Sequence, residues 1–195
     1  MSVGQQQQAF SGEVRWTPLY EKSAIENLRI EFLHLVNADP PEESLQKFIE
    51  DHPVILHQFP AERLFFKPPI LTRFKADFAV VTPQKELVLI EIERTSTNLL
   101  KSDGGQHSEL THAIRQVRNW LHEVDEHRLA VLDSLELPSA MVSKVRGVVI
   151  AGRDARNDAS HLRRLKGSDQ GRVTLLTYDD LTAALAALAQ RLGDF

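Results

Sequence analysis

The chain of 195 residues contains no cysteine. That excludes disulfides, thiolate metal sites and cysteine nucleophiles, and agrees with a cytoplasmic location. No apolar run approaches the roughly 18 residues needed to cross a bilayer, so no membrane partner is expected. The opening Met1-Ser-Val-Gly-Gln-Gln-Gln-Gln8 lacks the basic and apolar regions of a signal peptide, so export is not expected either. An excess of positive charge is also absent. The formal net charge is −4, so the molecule as a whole is not of the basic type that coats nucleic acid. A local basic stripe is still enough to follow phosphates. The candidates are Arg63, Lys67, Arg73 and Lys75; Lys144, Arg146, Arg153 and Arg156; and Arg163, Arg164 and Lys166. Scattered solvated charge accounts for each cluster equally well. The eight histidines form no metal signature, since His107/His112 and His122/His127 are five apart and miss the i, i+4 face of helical zinc ligands. Ser108, Thr95 and Ser96 have no evident paired base, so nucleophilic hydrolase chemistry is a poor reading.

What is present fits one globular domain, with 42% hydrophobic and 26% charged residues. Residues 1–18 are polar, carry the glutamine run and read as a flexible leader; residues 19–195 read as a single domain. Ile25, Leu28, Phe32, Leu33 and Val36 recur at helical spacing and predict an N-terminal amphipathic helix from Tyr20 to Asn37. Asp39-Pro-Pro-Glu-Glu43 reads as the start of a second helix carrying Leu45, Phe48 and Ile49 inward. Residues 53–72, with several prolines, read as loop or short strand. A long helix capped by Ser108 presents Leu110, Ala113, Ile114, Val117, Trp120, Leu121 and Val124 on one face, which makes Trp120 a packing residue. Strands at Gly147–Ala151 and Val173–Thr177, with helices at about 157–166 and at Asp180–Leu192, complete an α/β (α+β) order: a mixed sheet flanked by helices.

Two β-like runs between these helices carry the chemistry, Lys75–Val81 and Leu87–Glu93. Strand side chains alternate, so Leu87, Leu89, Glu91 and Glu93 share a face that begins as core and ends in two carboxylates. A five-residue loop between the runs pairs Val81 with Leu87, and hence Asp77 with Glu91, with Glu93 diagonal to them. Phe78, Val80, Ile90 and Ile92 then share the opposite face. Buried carboxylates need a compensating cation, and hard divalent ions such as Mg²⁺ or Mn²⁺ prefer this oxygen donor set. Asp77 and Glu91, helped by the Ile92 carbonyl, are the expected metal ligands; Glu93 would orient or deprotonate water or hold a second ion. That is the arrangement of metal-dependent phosphodiester hydrolysis. The competing account is an edge strand with two solvated glutamates. Lys75, two residues before Asp77, would share its strand face, either to stabilise phosphate charge or as a plain surface lysine. Gln116 and His112, i, i+4 on the long helix, flank its apolar arc and suit groups reaching a site rim.

Asp77, then Leu89-Ile-Glu-Ile-Glu93, then a helix bearing His112-Ala113 and Gln116-Val-Arg-Asn-Trp120 resemble the PD-(D/E)XK nuclease superfamily. The set is most similar to the catalytic domain of Shedu-type bacterial anti-phage nucleases. Leu45-Gln-Lys-Phe-Ile49, Val149-Ile-Ala-Gly-Arg153 and Thr177-Tyr-Asp-Asp-Leu181 extend the resemblance over roughly residues 40–185. It implies a restriction-endonuclease-like fold and a Mg²⁺-dependent endodeoxyribonuclease with DNA as partner. Asp77 and Glu91 would be metal ligands, Glu93 would stand where most members have lysine, and Gln116 would flank the site. Glu43 would be the acid of the first core helix. Lys75 or Arg153 would contact phosphate. Paired cuts in a duplex favour a homodimer or higher symmetric oligomer. Arg94-Thr95 stands where the family has a proline, and the long N-terminal regulatory region of many Shedu proteins has no counterpart in these residues. With no lysine at position 93 and a negative net charge, the rival expectation is a catalytically inactive nuclease-like module that binds nucleic acid or a protein partner.

Overall fold

The structure, a computed structural model, describes residues 13–14, 21–168 and 172–193. A two-residue strand β1 (Glu13–Val14) precedes the amphipathic helix α1 (Lys22–Asn37) and the helix α2 (Glu42–Asp51). After a 3-10 turn at Pro53–Leu56 come the short strands β2 (Arg63–Phe66), β3 (Pro69–Ile70), β4 (Phe74–Lys75) and β5 (Phe78–Val81), then the long strand β6 (Glu86–Ile92). The rest runs α3 (Ser108–Glu126), α4 (Arg128–Ser134), β7 (Lys144–Ile150), α5 (Ala159–Lys166), β8 (Val173–Leu176) and α6 (Tyr178–Gly193). Apart from β1, the expected leader lies outside the described residues.

The main sheet has the order β1-β2-β5-β6-β7-β8 and is mixed. Pairing is antiparallel from β1 to β6 and parallel from β6 to β8, where the helical connections α3–α4 and α5 supply the crossovers that parallel strands require. The alternation of β5 and β6 divides the core into two layers. Ala79, Val81, Leu87 and Leu89 pack under α3, α4 and the β3–β4 ribbon. Phe78, Val80, Val88, Ile90 and Ile92 pack under α1, α2 and α6. The register is Val81 opposite Leu87 and Phe78 opposite Ile90, as the five-residue loop predicts. Since β6 lies between β5 and β7, the edge-strand account of the two glutamates is excluded.

Gly147 sets how closely α3 approaches this sheet: a Cβ there would lie 2.1 Å from Val117 Cγ1. Gly152, just past β7, has φ +62°, and a Cβ would meet the Thr97 carbonyl at 2.7 Å. Both positions therefore require glycine, one for close approach and one for the left-handed turn.

Several expectations change. The run Lys75–Val81 is not one strand: it breaks at Ala76–Asp77, and Lys75 pairs with Pro69 in the separate ribbon of β3 and β4. Lys75 therefore does not share a strand face with Asp77. The cap of α3 is His107, whose Nδ1 accepts from the Glu109 N–H at 3.3 Å, rather than Ser108. The helix boundary at α2 is Pro41 rather than Asp39. Asp39 instead accepts from the Thr95 hydroxyl at 2.6 Å.

Candidate functional site

Strand β6 delivers its last side chains to one end of the sheet, beyond the carboxyl ends of the parallel strands, where α/β sheets commonly bind ligands. Asp77 arrives on the segment just before β5. Its N–H donates to the Ile90 carbonyl at 3.1 Å, its carbonyl accepts from the Lys67 N–H at 2.9 Å, and its Oδ2 accepts from the Ile92 N–H at 2.8 Å. Backbone contacts on both sides thus fix its carboxylate. Glu91 is 8% exposed. From α3, Gln116 reaches down and its Nε2 donates to Glu91 Oε1 at 2.5 Å. The structure therefore brings Asp77, Glu91 and Gln116 together.

The Asp77 and Glu91 carboxyl groups act strongly on each other. Burial drives the Glu91 carboxyl well above its ordinary range, and the neighbouring Asp77 charge adds to the shift. Burial likewise raises Asp77, against the pull of the Ile92 N–H, Glu91 and the Lys67 ammonium. Half-buried Glu93 is pushed up to about 7 by burial, then by the charges of Glu42, Asp77 and Glu109. Its backbone is held at both ends: the N–H donates to the Ile150 carbonyl at 2.9 Å, and the carbonyl accepts from the buried Tyr178 hydroxyl at 2.5 Å. Burial raises the Tyr178 phenol, as do Glu42, Asp77 and Glu93, so this hydroxyl keeps its proton and donates.

The acid that α2 contributes is Glu42, not Glu43. Glu42 is half-buried and raised by burial and by Asp77, whereas Glu43 is exposed. Gln46 and Glu50 follow at i+4 and i+8 on the same face; Gln46 is buried and the charge of Glu50 acts on Asp77. Glu42, Lys67 and Tyr178 are the site residues that sequence reasoning missed. The double acid Glu42-Glu43 signalled the first without settling the helical phase. Nothing local signalled the other two, because long-range pairing brings them in.

Of the expected phosphate contacts, Arg153 is committed elsewhere. Its Nε and Nη2 donate to Asp179 at 2.9–3.1 Å and its Nη1 to Asn37 at 2.8 Å. Lys75 is exposed and lines a cleft of about 410 Å³ with Gln116. The loop after Glu93 is pinned at its start. Thr95, standing where the family has proline, is fully buried on Asp39, with Arg94 3.8 Å from the same carboxylate. Leu99 is buried in the core beneath it.

Among the described residues no three acid or histidine side chains form a ready-made metal cage. The donor set still fits a hard divalent ion. Mg²⁺ needs only one or two carboxylates beside its waters, and such an ion would offset the burial and mutual repulsion that raise Asp77 and Glu91.

No curated protein sequence matches the chain. Residues 39–182, about three quarters of its length, match the family described as Shedu protein SduA, C-terminal. That span runs from Asp39, which ties down Thr95, to the first turn of α6 past Tyr178, and so holds every residue of the site just described. The chain belongs to the Shedu protein SduA C-terminal family.

Proposed function

We propose that this chain is a metal-dependent endonuclease of PD-(D/E)XK type that hydrolyses DNA phosphodiester bonds, in bacterial anti-phage defence. The observation that carries this reading is the buried Asp77–Glu91 carboxyl pair at the end of the central strand, held by Gln116 and the Ile92 N–H. Asp77, Glu91 and, across the cluster, Glu93 would hold Mg²⁺ or Mn²⁺. The ion would polarise a phosphoryl oxygen and make water more acidic. Glu93, with its carboxyl near neutrality, is suited to take a proton from the attacking water. Lys67, whose charge acts on both Asp77 and Glu42, offsets negative charge where most of the superfamily uses a lysine at position 93. Gln116 orients Glu91, and Tyr178 fixes the Glu93 backbone.

The test is incubation of the protein with supercoiled plasmid and Mg²⁺ or Mn²⁺. Wild type should nick, and Asp77→Ala and Glu91→Ala should not, while their circular dichroism stays native; an Asp77→Ala variant that cuts as well as wild type overturns the assignment. A non-cutting nuclease-like module is favoured by one observation, the glutamate in the lysine's place. Calorimetric titration with Mn²⁺ separates the two, since a wild type that binds no Mn²⁺ supports the module.

A further inference from the structure

The exposed flank of α3 borders two clefts that share His112 and Arg115 and so adjoin. The first, about 410 Å³, is lined by Arg73, Phe74, Lys75, Gln116, Asn119 and Trp120 besides the shared pair. The second, about 440 Å³, adds Lys101, Gln106, Ser108 and Thr111. Neither lining contains a carboxylate, although the chain as a whole carries a net charge of −4. Cations of α3, the β3–β4 ribbon and the loop before α3 thus line both clefts. That flank meets the acidic cluster at Gln116, whose amide donates to Glu91.

We infer that the phosphodiester backbone of DNA lies along this groove, with Arg73, Lys75, Lys101 and Arg115 on its phosphates and Asn119, Ser108 and Thr111 as neutral donors. The span fits. From Ser108 to Asn119 the helix rises about 17 Å at 1.5 Å per residue. That is long enough to run beside more than one phosphate of a strand. His112 accepts from the Arg115 guanidinium at 3.0 Å through Nδ1, which holds that cation over the junction of the two clefts. Arg73 lies 3.3 Å from Glu123, 70% exposed, so its guanidinium can turn to a phosphate at little cost. Affinity then resides on α3 and the segments beside it, and chemistry at the end of β6. The proposal rests on the nuclease reading for its substrate but makes a claim of its own about where binding occurs.

The experiment is fluorescence anisotropy with a labelled DNA duplex, and the same sequence as RNA, across a salt series without divalent metal. The proteins are wild type, Lys101→Ala, Arg115→Ala, the double variant and Lys144→Ala. Each groove substitution should lower the slope of log K against log salt by about 0.9. The double variant should lose about tenfold or more in affinity. Lys144→Ala, which removes an exposed cation at the far end of the sheet, should bind unchanged. Groove variants with wild-type slopes overturn the inference even if the plasmid is nicked. Lost binding in those variants beside a wild type that never nicks upholds the groove and sinks the nuclease. Tighter binding of RNA than of DNA overturns the assignment of DNA to the groove.

Discussion

At the scale of residues the site is a contest between burial and charge. Three acids from β6 and its neighbour, and a fourth from α2, lie close enough that the Asp77 charge raises the carboxyls of Glu42, Glu91 and Glu93. Gln116 matters because it holds one oxygen of Glu91 and so fixes how the other faces Asp77. Replacing it with alanine leaves a buried carboxyl without its donor. Groups that orient metal ligands are typically worth about 10- to 100-fold in affinity or activity. Gln116→Ala should therefore shift the Mg²⁺ dependence of nicking upward by that factor, read from initial rates over a metal titration, with the melting temperature little changed. Tyr178→Phe is the complementary case. It removes only the hydroxyl that donates to the Glu93 carbonyl, within a fully buried ring. The cost should be about 1–2 kcal/mol of stability, checked by urea denaturation.

At the scale of elements, α3 is positioned by its contact with β7, and Gly147 permits that contact. Gly147→Ala would place a methyl 2.1 Å from Val117 Cγ1, so α3 must lift or Val117 must turn, at about 1–3 kcal/mol. Gln116 is the residue next to Val117, and the same variant should lose nicking activity beyond what its melting temperature explains; equal activity at a temperature well below melting would sink this coupling. The hairpin was legible from parity alone, because period-two alternation over β5 and β6 leaves one register that buries both apolar sets. The long helices were legible from their 3.6-residue period. The two-residue strands β3 and β4 were not, since so few residues carry no periodicity, and their pairing pulled Lys75 away from Asp77. Placing the start of α2 at Asp39 obscured its phase: with Pro41 at the boundary, Glu42 rather than Glu43 turns inward. Lys67 joins the site only through the bond of its N–H to the Asp77 carbonyl, a partner ten positions along the chain.

At the scale of the molecule, the acid cluster couples global stability to pH and, on the proposed function, to a divalent ion. Glu93 is raised from 4.5 to about 7 in the fold, and Glu91 is raised further by burial and by Asp77. The folded state therefore binds more protons than the unfolded chain at pH values above the ordinary carboxylate range. Stability contributed by these protons is fully present below about pH 4.5 and is lost as pH rises through 7 and beyond. Metal-free wild type should melt at a lower temperature at pH 8 than at pH 5.5. Glu91→Gln should flatten that slope, because its amide can donate to Asp77 and accept from Gln116 without carrying charge. A divalent ion that binds only the folded state adds RT ln(1 + [L]/Kd), about 2.7 kcal/mol at a hundredfold excess over Kd. For a chain of this size that is a rise of about 5–10 °C. The rise should be larger at pH 8 than at pH 5.5, since at the lower pH protons compete more strongly for these raised carboxyls. It should be absent in Glu91→Gln. Scanning calorimetry at the two pH values, with EDTA and with Mn²⁺, measures all of these. A Mn²⁺-induced rise of equal size in wild type and Glu91→Gln would place the ion somewhere other than the Asp77–Glu91 pair.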